Sequence, residues 1–179
     1  MHLNTSTSLL IKVFISSMPN CVAGVAVEML NEAGLIEREL TLRDLRMTKE
    51  VMETRRAIVR WLALSLGIIS PGESRLSAVS VLDAMLYFGF KEKKEPQVPD
   101  IMEYISAHWS PMNEKTLRYH LLQLKKGGIV ANAKGSYSLI WPDVGDKYDA
   151  DAWINSYIDR SVDPIRNKVR MAINELRSR

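Results

Sequence analysis

The run from Asn113 to Val130 leaves this chain few options. Asn113 is a residue that accepts hydrogen bonds at a helix start. Leu117, Leu121 and Leu124 follow at i, i+4 and i+7 and put one apolar face on a helix over 114–127. Gly127-Gly128 supplies the stop. Ile129-Val130 and Tyr137-Ser138-Leu139-Ile140-Trp141 then read as two short strands, with Lys134-Gly135 as the hairpin turn between them. A helix that runs directly into a hairpin dictates the local architecture, and the neighbouring chain must cover the leucine face.

Periodicity elsewhere is helical. A helix is expected over 21–33, with Val22, Ala26, Met29, Leu30 and Ala33 on one side and Gly34 beyond it. A longer one is expected over 48–66, where Ile58, Leu62 and Leu66 recur at steps of four and Gly67 ends the pattern. Ser70-Pro71-Gly72-Glu73 reads as a turn that also starts the next helix, because Ser with Glu three residues later has capping-box spacing and proline suits the first helical position. That next helix covers 74–89. Lys91 to Pro96 is a charged connector, and a short helix follows over 99–108. The tail carries a helix near 150–159 and a last one starting at Asp163-Pro164. The last helix places Ile165, Val169, Ala172 and Leu176 in a narrow stripe that suits a helix-pair seam, so a homodimer is expected.

The expected fold class is mostly α: a winged helix-turn-helix with an N-terminal helical region and C-terminal helices. The parts are an N-terminal region at 1–72, the winged helix-turn-helix at 74–142 and a helical tail at 143–179. In a helix-turn-helix the last helix enters the DNA major groove, which is about one helix wide, and a following hairpin can reach an adjacent phosphate or the minor groove. Charge supports this use. The whole chain is nearly balanced, with 24 basic and 21 acidic residues. Between Asn113 and Lys134, however, five basic residues (Lys115, Arg118, Lys125, Lys126, Lys134) face one acid, Glu114.

The string resembles the recognition helix and wing of winged-helix transcriptional regulators of the arsenic-repressor and multiple-antibiotic-resistance-repressor type. Asn113, Thr116-Leu117, His120-Leu121, Leu124 and Gly128-Ile129-Val130 occupy that family's positions. Leu122 stands where a polar residue is usual, and Gly127 where alanine is usual. The resemblance implies that Lys115, Thr116, Arg118 and Tyr119 face DNA and that Lys134 sits at the wing tip. Asn113 and Gln123 join the expected DNA-contacting set, with Lys125 and Lys126 on phosphates. More loosely, Thr54-Arg55-Arg56 through Ser74-Arg75 is similar to archaeal proteins described as predicted helix-turn-helix regulators.

The expected function is therefore a DNA-binding transcriptional regulator with double-stranded DNA as partner. The alternative is a winged-helix protein-docking adaptor in a replication or chromosome-organisation complex, for which Leu122 would be a contact. Tyr119 either reaches a phosphate or packs on the wing. His120 is expected to be a half-buried residue packed under the wing, and Arg55, Arg56 and Arg60 a solvated face balanced by Glu50 and Glu53 rather than a second DNA contact. Trp61, Trp109, Trp141 and Trp153 are expected in the core or an interface.

Enzyme readings find no purchase: the chain has no phosphate-binding loop, no dinucleotide fingerprint and no nucleophile elbow. Cys21 with His2, His108 and His120 lacks metal-ligand spacing, so neither metal nor cofactor is expected. A single cysteine cannot form an internal disulfide, and Leu9 to Ile15 is interrupted by Lys12 with no basic residue before it, unlike a secretory leader. No run reaches the length of a membrane span. The expected location is cytoplasmic, on the nucleoid.

Overall fold

A computed structural model describes residues 32–74, 76–145 and 147–179. The chain divides into two compact units, Met1–Glu39 and Leu40–Arg179. In the first, the described residues form one short helical turn, α1 (Glu32–Leu35). The helix expected over 21–33 lies, except for its last two residues, outside the described residues.

The second unit is mostly helical with a two-stranded antiparallel sheet. Its elements are α2 (Lys49–Met52), α3 (Arg55–Ser65), α4 (Ser77–Leu86), α5 (Val98–His108), α6 (Glu114–Lys126), β1 (Val130–Ala133), β2 (Ser136–Leu139) and α7 (Ala150–Ser178). The boundary expected at 72–74 runs through this unit, because α3 packs directly on α4.

The central element is α4. Seven consecutive residues from Val79 to Met85 are buried, so this helix is covered on every side. It touches α3, α5, α6 and β2. Leu117, Leu121 and Leu124 of α6 are at most 3% exposed and belong to the same core as Leu82, Met85, Ile101 and Ile105. The leucine face expected from the sequence is thus the buried face. Val130 and Leu139, cross-strand partners at the base of the hairpin, belong to that core as well.

Four expected helices differ in extent. The helix expected over 48–66 is two: α2 ends at Met52, and Thr54 adopts an extended conformation and caps α3, its hydroxyl accepting from the Ala57 N–H at 3.2 Å. A second cap inside the run outcompetes the apolar period. The fully buried face of α3 is Val59 and Ala63, while Ile58 and Leu62 are only half-buried. Gly67 does end the helix, and its φ of 69° is matched by a close approach. A Cβ there would stand 2.5 Å from the Thr41 carbonyl oxygen. The segment bearing Thr41 is held by Arg43, whose guanidinium donates to the carbonyl of Leu64 at 2.6 Å and that of Ile69 at 3.2 Å.

Ser70 to Glu73 is a turn but starts no helix. Glu73 N–H donates to the Ser70 carbonyl and the Ser70 N–H to the Glu73 carboxylate, both at 3.2 Å. With Pro71 second and Gly72 at φ 79°, this is the pattern of a type II turn. The helix begins later, at Ser77, and Leu76 just before it is 42% exposed. At its other end α4 passes into a π-helical turn, Tyr87–Glu92, that ends in Lys93 with left-handed backbone. The tail forms one helix rather than two: α7 continues through Pro164, which removes one backbone hydrogen bond without ending the helix. Asp149 caps it, its carboxylate accepting from the N–H groups of Asp151 and Ala152 at 3.2 Å.

Candidate nucleic-acid interface

Asn113 sets the start of α6. Its side-chain oxygen accepts from the Thr116 N–H at 2.8 Å. This occupies the side chain in capping, so of the expected contact residues Asn113 has a structural duty first. From that start the helix presents Lys115, Arg118, Tyr119, Leu122, Gln123, Lys125 and Lys126 to solvent, with Thr116 at the margin. At 1.5 Å per residue, Lys115 and Lys126 stand roughly 16 Å apart along the axis.

The hairpin continues from α6 through Gly127, Gly128 and Ile129. Lys134 and Gly135 form its two-residue tip, both with positive φ, at 51° and 87°. Positive φ at both positions is the type I′ geometry whose twist suits paired strands. Lys134 is exposed there. One edge of β2 is tied down: Tyr137 N–H donates to the Pro96 carbonyl at 2.8 Å, and Gln97 bridges Ser136. The segment leading into α5 therefore runs beside the hairpin.

Electrostatically the surface is simple. The only acid between Asn113 and Lys134, Glu114, accepts from Arg118 Nε at 2.7 Å. The hydrogen bond to Glu114 and its charge raise the Arg118 pKa, with a smaller contribution from Tyr137 of β2. Tyr119 is 57% exposed and meets the His120 ring edge-on at 5.2 Å, so it stands in solvent rather than packed on the hairpin. Leu122, in the middle of this cationic face, is 48% exposed.

His120 is half-buried, and its Nε2 lies 3.0 Å from Ser77 Oγ at the start of α4. Burial lowers its pKa, opposed by Glu73. Of the three arginines of α3, Arg55 and Arg56 are exposed and Arg60 is half-buried, but they are more than a solvated face. Each reaches another element. Arg55 pairs with Asp83, Arg56 donates to the His108 carbonyl and lies 4.7 Å above the Trp109 ring, and Arg60 donates to the Glu73 carbonyl at 2.8 Å. Of the four tryptophans, Trp153 is fully buried, Trp109 and Trp141 pack partly against the core, and Trp61 donates to the Arg46 carbonyl at 3.0 Å.

An open apolar groove of about 520 Å³ lies along α3 and the π-helical turn, lined by Ile58, Leu62, Leu86 and Phe90 with Arg55 and Lys91. Among the described residues no three His, Cys, Asp or Glu side chains converge to hold a metal, and no helix is long and apolar enough to cross a membrane.

No family model, curated protein or solved structure matches the chain. The functional reading therefore stands on the residues themselves.

Proposed function

We propose that α4, α5, α6 and the hairpin form a winged helix-turn-helix, and that the protein binds double-stranded DNA as a transcriptional regulator. One observation carries the reading. All five basic residues between Asn113 and Lys134 are exposed, on α6 and at the hairpin tip, and the single acid among them is paired to Arg118. A helix face bearing cations along some 16 Å matches the reach of a major groove about 12 Å wide. In this reading Lys115, Thr116, Arg118 and Tyr119 meet base edges or nearby backbone, with Gln123 on the flank. Lys125, Lys126 and Lys134 hold phosphates. Location on the nucleoid follows from the same reading.

Leu122 and Tyr119 favour a second reading, a docking surface for another protein, because a large apolar side chain in the centre of a helix face is a common protein contact. Leu122 is equally able to contact a thymine methyl group. Titration of the full chain into labelled random and genomic duplexes across a salt series separates the two. DNA binding predicts an affinity that falls steeply with salt, with a log–log slope of about −0.9 per phosphate contact. No salt-dependent binding to any duplex would leave the docking reading.

A further inference from the structure

The groove along α3 and the π-helical turn belongs to neither α6 nor the hairpin. Two rows of apolar side chains line it. Ile58 and Leu62 stand one turn apart on α3, and Leu86 and Phe90 stand four residues apart at the end of α4 and in the π-helical turn. Among the described residues the charged groups that line it are both cations, Arg55 and Lys91. Glu92, next to Lys91 in sequence, accepts from the Tyr87 hydroxyl at 2.6 Å and does not line the groove.

The two cations stand close together. Arg55 Cζ lies 5.9 Å and Lys91 Nζ 5.7 Å from the centroid of one ring, that of Tyr87. Arg55 is fixed there by its 2.7 Å bond to buried Asp83, while half of its side chain stays in solvent. Lys91 is exposed. The groove is thus an apolar trough with a positive end.

Shape and charge together say what fits it. A small molecule is held in a cleft that buries most of its surface. This groove is open along one side and covers one face of its occupant. That geometry receives an amphipathic helix, whose apolar anchors fall at i, i+4 and i+7. From Arg55 to Leu62 α3 rises roughly 10 Å, the length of two turns of such a helix. Cations at one end, with no acid in the lining, are complementary to carboxylates and repel a basic segment.

We propose that this groove docks an acidic amphipathic helix of a partner protein, about two turns long, with its apolar stripe between Ile58–Leu62 and Leu86–Phe90 and its carboxylates on Arg55 and Lys91. The proposal does not rest on DNA binding, because no residue of the groove lies on α6 or the hairpin. Two turns make a small contact, so the affinity should lie in about the micromolar range.

The test uses the full chain and two fluorescein-labelled helical peptides of about 14 residues, a length that is partly helical alone and completes its turns on docking. Both are alanine-based with leucine at i, i+4 and i+7. One carries two glutamates in the turn before the first leucine, and the other carries two lysines there. In anisotropy titrations the glutamate peptide should bind about tenfold more tightly than the lysine peptide. Lys91→Glu, at an exposed position, should reverse that order, which a difference in peptide helicity cannot do. Leu62→Gln should weaken both peptides. A benzophenone in place of the middle leucine should cross-link the glutamate peptide to 58–62 or 86–91. No binding of the glutamate peptide, equal affinities for the two peptides, an order that Lys91→Glu leaves unchanged, or cross-links elsewhere would each overturn the proposal. Binding of decanoate without either peptide would give the groove to a small amphiphile, and self-association abolished by Leu62→Gln would give it to a second copy. Both of these outcomes also overturn it.

Discussion

Arg55 Nε donates to Asp83 Oδ1 at 2.7 Å, from a side chain half in solvent to one that is 3% exposed at the centre of α4. The other carboxylate oxygen accepts from Tyr104 Oη at 3.0 Å and Trp109 Nε1 at 2.8 Å. Three donors from α3, α5 and the turn after α5 therefore converge on one buried acid, and the cost of burying it is met by full hydrogen bonding. Removing a partner leaves buried polar atoms unsatisfied. Asp83→Asn and Arg55→Ala should each destabilise the protein by about 2–3 kcal/mol. A double-mutant cycle by denaturant unfolding should give a coupling above the roughly 0.2–1 kcal/mol of an exposed ion pair. Zero coupling would return Arg55 to the solvated surface.

Tyr104 feels the same acid. Its pKa is raised from 10.0 to about 12, first by burial and then by the Asp83 charge. The folded state thus holds the phenol proton more tightly than the unfolded chain does. The stabilisation is complete below about pH 10 and is lost as the pH rises through about 12. Wild type should lose stability across that window more steeply than Tyr104→Phe, measured by thermal melts at rising pH. Parallel curves for the two proteins would contradict it.

Much of this architecture was legible because local signals agreed. Asn113, the leucine period, the paired glycines and Lys134-Gly135 each act within a few residues, and α6 with its hairpin is where they indicate. What was hidden depends on partners distant in sequence. Asp83 lies 28 residues from Arg55, and in the sequence it is one carboxylate in an apolar helix. Arg56 and Arg60 sit on an outer helix face by period, yet their side chains span to α5 and the 70–73 turn. Thr54 broke a longer apolar period by capping in its middle, and Asp163-Pro164 looked like a helix start because proline is equally at home there. The π-helical turn has no comparable signature. Gly89 there faces Leu139, whose Cδ1 would lie 2.6 Å from an added Cβ, so a contact with β2 chose that residue.

If α6 binds DNA as proposed, Glu114 competes with it for Arg118. The pair is exposed, at 56% and 54%, and is separated by one helical turn. Glu114→Gln would release the guanidinium and remove the lone acid from the face. It should strengthen duplex binding by about threefold to tenfold at low salt, with a steeper salt slope. In an Arg118→Ala background the same change should gain less, because only the general charge effect remains. Equal gains in both backgrounds would show that Arg118 is not the group restrained.

Lys134 offers the cleanest separation of holding from reading. It is the first residue of a two-residue turn with φ at 51°, where alanine would add backbone strain to the loss of charge. Asparagine adopts that conformation readily, so Lys134→Asn removes the ammonium while keeping the hairpin. If the lysine meets a phosphate, the variant should bind a specific site and a random duplex with equal losses, and the salt slope should fall by about one unit. Arg118→Ala should differ. From the middle of α6 an arginine can bridge two acceptors of one guanine, worth roughly 1–3 kcal/mol against a wrong base, so its loss should fall mainly on the specific site. Measuring both variants on both duplexes across one salt series gives four curves. Equal losses for Arg118→Ala on the two duplexes would reduce it to a phosphate contact. No loss for either variant, with the hairpin intact by circular dichroism, would take DNA off this face and leave Leu122 and Tyr119 as the contact for a protein.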